Sequence, residues 1–129
     1  MMNTFLSLGR WIFPIPFVLF GLMHFTNTQV MVDNVVPAYM PAKAVWVYLS
    51  GIGLLAAAAS MYLGKYDKLA TTLLAIMLLL FVLMVHLPGV MEGGDRMAQS
   101  MPNLLKDVGL AAASMMYALN QARDNSIVG

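Results

Sequence analysis

Residues 69–87, LATTLLAIMLLLFVLMVHL, decide how this chain folds. The stretch holds no Asp, Glu, Lys or Arg, and His86 is its one strongly polar side chain. Its length is close to the ~20 residues a helix needs to cross ~30 Å of hydrocarbon. Working outward, three more apolar blocks of similar length follow the same pattern, at 5–26, 44–63 and 102–119. The expected fold is all-α, an integral membrane four-helix up-down bundle, with a single transmembrane domain over residues 1–129. Loops and tails leave no room for an appended soluble domain.

Composition agrees. The 129 residues are 60% hydrophobic and 10% charged, with a mean hydropathy of +0.77. Soluble domains are ~45–50% apolar and ~25% charged. Seven Lys and Arg against six acids give a net charge of +1, with no basic stripe for a phosphate backbone, so nucleic acid is not a partner. The absence of cysteine excludes disulfides, thiol exchange and thiolate metal sites. Redox chemistry would therefore need a bound cofactor, and no metal site is expected.

The first block reads as a retained span rather than a secretory signal, because early basic residues are missing and Arg10 interrupts it. Pro14 and Pro16 predict a kink; alternatively, residues 2–10 lie along the interface and a shorter span starts near Trp11. Segment 27–43, with Pro37 and Pro41, is expected to be a fixed, partly extended loop. Trp46 and Tyr48 near the start of the second block, and Tyr62 near its end, belong at the two interfaces. Gly53, Ala57 and Ser60 share a face suited to close helix approach, as do Gly109, Ala112, Ala113 and Ser114 in the fourth block. The turn at 64–68 makes its flanking helices antiparallel neighbours. Segment 88–101, with Gly89, Gly93 and Gly94, reads as a mobile loop, Ser100 and Pro102 mark the next helix start, and 121–129 is a polar tail.

An even number of spans puts both termini on one side, with Arg10, Lys65, Lys68 and Arg123 there and Lys43, Arg96 and Lys106 on the other. This balance assigns both termini to the cytoplasm. His24 and His86 then close the first and third spans at the outer mouth, where Lys106 and Asp107 open the fourth. Arg10, Phe17, Gly21 and His24 are offset by seven, four and three residues, which keeps them on one helix face. Arg10 and His24 are ~21 Å apart along it.

The run Gly9-Arg10, Phe17, Phe20-Gly21 and His24, then Pro37, Pro41, Trp46, Ser50-Gly51, His86 and Lys106-Asp107, resembles the DoxX family of small membrane proteins. The resemblance spans nearly the whole chain, on short motifs. It implies a four-helix bundle in the bacterial cytoplasmic (inner) membrane and a link to redox chemistry. Relatives include a subunit of a thiosulfate:quinone oxidoreductase, and more distant ones act in disulfide and amine-dehydrogenase maturation. Two departures limit the transfer: the acidic residue that many relatives carry in helix two, shortly after the position of Gly51, has no counterpart in 52–59, and the cysteines of the maturation proteins are missing.

Arg10, Phe17, Gly21, His24, His86, Lys106 and Asp107 are thus the candidate ligand-binding residues. Reduction of a quinone puts charge on its oxygens and requires protons, so such a site needs hydrogen-bond donors and a titratable group. His24, His86 and Lys106 could donate, Asp107 could orient an imidazole or pass a proton, and Phe17, Phe20 and Phe25 could pack the ring and tail. Against this stand plainer readings: interface histidines that bond loop carbonyls, Lys106 and Asp107 as a solvated helix start, and Arg10 as a headgroup anchor. Two histidines at one depth also allow bis-histidine haem ligation, the lesser alternative, and 13 methionines bring copper to mind but serve as ordinary apolar filler. A non-enzymatic scaffold binding lipid or a partner protein in a larger membrane complex is the main rival to a quinone-associated accessory subunit, and a homo-oligomer is compatible with either.

Overall fold

Pro14 and Pro16 lack the N–H that a helix interior requires, so the first apolar block cannot run as one regular helix. The computed structural model, which describes all 129 residues, breaks it there: α1 spans Met2–Ser7, α2 Gly9–Ile12 and α3 Ile15–Thr26. Beside the break the Tyr62 hydroxyl, from the next arm, donates to the Trp11 carbonyl at 2.9 Å. The regular helix is thus interrupted where the kink is expected.

A short helix, α4 (Thr28–Asn34), replaces the first half of the expected extended loop. It begins with Thr28 bonded back to the His24 carbonyl at 2.5 Å, so the polar side chains that suggested a loop instead continue the helical path. The second arm, α5 (Lys43–Leu63), ends at Gly64, whose φ of +69° reverses the chain without a side-chain clash. The third arm starts with α6 (Asp67–Phe81), widens into a π turn (Val82–His86) and closes with α7 (Leu87–Met91). The fourth is α8 (Gly94–Asn120). The chain is all-helical, and three stretches are long and apolar enough to cross a membrane: Met2–Thr26, Lys43–Leu63 and Asp67–Met91. The fourth arm begins eight residues earlier than the apolar block at 102–119 and is less apolar than the other three, with Lys106 and Asp107 inside that block.

Segment 88–101 is helical rather than a mobile loop. Gly93 and Gly94, at φ of +73° and +56°, make the whole reversal by themselves. Gly89 then lets α8 pass so closely that an added Cβ would run into the Ser100 side chain, which fixes the hairpin. Ser100 and Pro102 therefore lie inside α8, not at its start.

The small residues that set helix spacing also differ from those expected. α3 and α5 cross at Gly21 and Gly51: a Cβ on Gly51 would lie 2.8 Å from His24 Cβ, and one on Gly21 would lie 2.7 Å from Leu55 Cγ. Gly53 and Ser60 line an open groove instead, while Ala57 is buried. On α8, Ala111 and Ser114 are buried, whereas Ala112 is exposed and Gly109 faces open space. The interior contains Phe17, Leu54, Met61, Leu78, Ala111 and Tyr117.

The polar tail folds back onto the bundle. Asp67, fully enclosed, accepts hydrogen bonds from the Tyr117 hydroxyl at 3.0 Å and from the backbone N–H groups of Arg123 (2.9 Å) and Asp124 (2.8 Å). The Arg123 guanidinium donates to the Met61 carbonyl at 2.5 Å and lies 5.5 Å from the Trp11 ring centroid. Every arm is thereby tied at this end.

The crossing at Gly51 predicts an asymmetry between two glycines. Gly51→Ala should destabilise by about 1–3 kcal/mol, because backbone and ring atoms must shift. Gly109→Ala adds a methyl in open space and should stabilise by up to about 1 kcal/mol through helix propensity. Thermal unfolding in detergent micelles compares them; melting shifts of the same sign and size would refute the close crossing.

Candidate functional site

Helix α6 would carry His86 onward at the α-helical pitch, but the π turn inserts one residue just before it and turns the imidazole toward α8. Two residues later Pro88 offers no N–H, which leaves a carbonyl of the preceding turn unpaired. The Tyr39 hydroxyl, from the segment before α5, donates to that carbonyl, on Met84. The distortion at His86 is thus stabilised from outside the helix.

On α8, Ser100, Asp107, Ala111, Ser114 and Tyr117 are buried at offsets of seven, four, three and three, one continuous helical face. Asp107 belongs to this packing face, and it meets His86 there. His86 Nε2 lies 2.9 Å from Asp107 Oδ2, and both residues are less than a tenth exposed. A carboxylate only accepts, so Nε2 carries a proton and donates it. The Lys106 ammonium lies 3.7 Å from the other carboxylate oxygen and 4.4 Å from the Phe20 ring centroid. Asp107 is therefore bracketed by an imidazole and an ammonium, with an aromatic face beneath the cation.

His24 stands at the edge of this group. Its Nδ1 is 2.6 Å from the Phe20 carbonyl, so Nδ1–H donates and Nε2 keeps its lone pair when the ring is neutral. Lys106 and Asp107 lie within electrostatic range of the ring, but no hydrogen bond joins His24 to them. Of the seven expected residues, His86, Lys106 and Asp107 are in contact and His24 is close by. The other three are elsewhere. Phe17 is fully enclosed, edge-on to Phe13 at 5.1 Å between centroids, and Gly21 forms the α3–α5 crossing. Arg10 belongs to the opposite end, where it donates to the Gln121 carbonyl at 3.2 Å. A shared helix face placed these residues at one angle, but the Pro14 break and their different depths separate them.

Two cavities elsewhere in the bundle are lined by none of the seven. One, about 450 Å³, is an open groove between α5 and α6; the other, about 250 Å³, lies among Tyr39, Val85, Pro88 and Arg96, next to the π turn. The residues missed from sequence are Asp67, Tyr117 and Arg123. The one signal for Asp67 is that it is the only acid in the short 64–68 turn.

Residues 14–104 match the model of a family described as Domain of unknown function (DUF8561). The chain belongs to the DUF8561 family. No curated protein and no solved structure matches it. The DUF8561 stretch includes His24, Gly51, Asp67 and the π turn with His86, and it ends two residues before Lys106.

A double-mutant cycle measures the central pair. Asp107→Ala leaves His86 and Lys106 without their acceptor, and His86→Ala leaves a buried carboxylate with only the lysine. Each should cost about 3–5 kcal/mol in chemical unfolding. The double variant should cost less than their sum by about 1–3 kcal/mol. Strictly additive losses would show that the two side chains do not interact.

Proposed function

We propose that this DUF8561 protein is an integral membrane four-helix up-down bundle of the bacterial cytoplasmic membrane, with both termini on the cytoplasmic side. We also propose that it serves as a quinone-associated, redox-linked accessory subunit. The observation that carries this reading is the His86–Asp107 pair, enclosed among apolar helices at one end of the bundle, with the exposed Lys106 ammonium beside it. Ionisable groups at such a position are expensive and are by default functional. The resemblance to DoxX proteins supports the same reading.

The proposed fourth span is α8, whose apolar remainder at 108–119 covers ~18 Å. Lys106 and Asp107 then fall inside the outer half of the hydrocarbon layer, which is tolerable because Asp107 faces α6 and α7 rather than lipid. A quinone, when bound, accepts two electrons and two protons at its two oxygens. The Lys106 ammonium can donate a hydrogen bond to one such oxygen. His24 Nε2 can accept a proton or a hydroxyl hydrogen bond, since its other nitrogen is committed to the Phe20 carbonyl. Asp107 holds His86 in one tautomer. Phe20 and Phe25 remain to pack the ring, with Phe17 withdrawn into the core. Electrons come from a partner protein.

A scaffold reading has one observation in its favour: both buried acids tie the third arm to the fourth, Asp107 through His86 and Asp67 through Tyr117. Such cross-ties suit a subunit that only stabilises a larger membrane complex. Haem is less well supported, because Nε2 of His86 already donates to Asp107.

Alanine variants at His24 and His86, made singly and together, separate these readings. Membrane insertion should be unchanged, since both residues lie near span ends. Titration of purified protein with a short-tailed quinone, followed by quenching of tryptophan fluorescence, should show each single variant binding at least about tenfold more weakly. If the double variant binds as tightly as the parent, the histidines serve structure and the scaffold reading replaces this one.

A further inference from the structure

Helices α5 and α6 are joined by a tight turn and yet stand apart over part of their length, leaving the groove of about 450 Å³. Small side chains on α5, Ala56 and Ser60, face Leu69, Leu73 and Met77 on α6. From Tyr66 at its mouth to Met77 the groove runs eleven residue steps, ~16 Å of helix. That is about half of a ~30 Å hydrocarbon layer, the depth of one leaflet.

The charges around the mouth are unevenly used. Arg10 donates to the Gln121 carbonyl, and Arg123 is held by Asp67 and the Met61 carbonyl. Asp67 is enclosed and turned toward Tyr117 and the tail amides. Asp124 is turned toward the Tyr66 N–H, at 2.7 Å, and toward Ser126. Lys65 and Lys68 flank Tyr66 and form no salt bridge with any carboxylate. An apolar slot one leaflet deep thus opens beside two uncompensated cations.

We infer that this groove seats one acyl chain of an anionic phospholipid, whose phosphate is held by Lys65 and Lys68. The inference rests on the membrane reading above but not on the quinone reading. A second copy of the chain is the poorer occupant, because a two-fold contact through this face would bring the lysines of both copies together. A neutral lipid fits the slot equally well and leaves the lysines unanswered.

Native mass spectrometry of the full chain, released from nanodiscs of equimolar phosphatidylglycerol and phosphatidylcholine, tests it. The parent should retain one phosphatidylglycerol in preference, on the order of tenfold over phosphatidylcholine. The double variant Lys65→Gln, Lys68→Gln should bring that ratio close to one. Ala56→Phe, at an exposed position where added bulk enters the slot, should lose retained lipid of both kinds while keeping its helical circular dichroism. Lys43→Gln, which removes a cation at the other end of α5, should leave retention unchanged. Equal retention of the two lipids by the parent would overturn the inference, as would a preference that survives both groove variants. A dimer abolished by Ala56→Phe would make the face a self-interface instead. Alkaline carbonate extraction separates this from failure of the membrane reading, since a protein released by carbonate was never in the bilayer.

Discussion

A carboxylate enclosed among apolar helices must be met by donors, and this bundle encloses two. Asp107 reaches from α8 to His86 at the end of the third arm, and Asp67 reaches from the start of that arm to Tyr117 and the tail amides. Between helices surrounded by hydrocarbon, burying leucine or alanine gives little preference for one neighbour over another, since lipid tails are as apolar as the side chains. Polar ties make that choice. Placed near opposite ends of the same two arms, the two acids settle which face of α8 turns inward, how far it slides along α6, and where the tail ends. Leaving either one unpartnered would cost several kcal/mol, so alternative registers are excluded rather than merely disfavoured.

The backbone follows a similar rule. Prolines interrupt the first and third arms, and at each interruption a tyrosine from another segment donates to a nearby carbonyl, Tyr62 to Trp11 and Tyr39 to Met84. The Trp46 indole bonds the Pro41 carbonyl at 2.9 Å, and the Arg96 side chain reaches the Val35 carbonyl at 3.5 Å. The segment from α4 to α5 is therefore attached to the helices it covers, as a fixed roof over the end that holds the histidines. Approach to His24 from that side is governed by this roof, and Tyr39 connects it directly to the π turn that orients His86.

Much of this was readable from residue type and period. Apolar blocks marked the first three arms, the Gly64 turn marked a tight reversal, and His86 with Asp107 stood out because ionisable residues are rare in such runs. What period cannot carry is depth and partner. Arg10, Phe17 and His24 share a face, yet one lies at the far end, one in the core and one at the mouth. Gly53 and Gly109 resembled packing positions by spacing, but close approach depends on the neighbour's surface, and Gly51 opposite Gly21 supplied it. Segment 88–101 reads as mobile because glycine and charge usually signal a loop; the Gly89–Ser100 contact, formed between helices, holds it as a helical hairpin. Asp67 was hidden for the same reason, since its partners are fifty or more residues away in sequence.

The charge balance at the mouth connects stability with the proposed chemistry. The enclosed Asp107 carboxylate is balanced by the Lys106 ammonium at the exposed edge of the bundle, so the pair brings no net charge with it. A ligand that becomes negative on reduction would add a charge that so apolar a setting disfavours. Within the proposed function, this favours a ligand that takes up protons together with its electrons, so that its reduced form leaves no net charge beside Asp107. A purely structural pair gains nothing from His24, whose Nε2 bonds no other side chain.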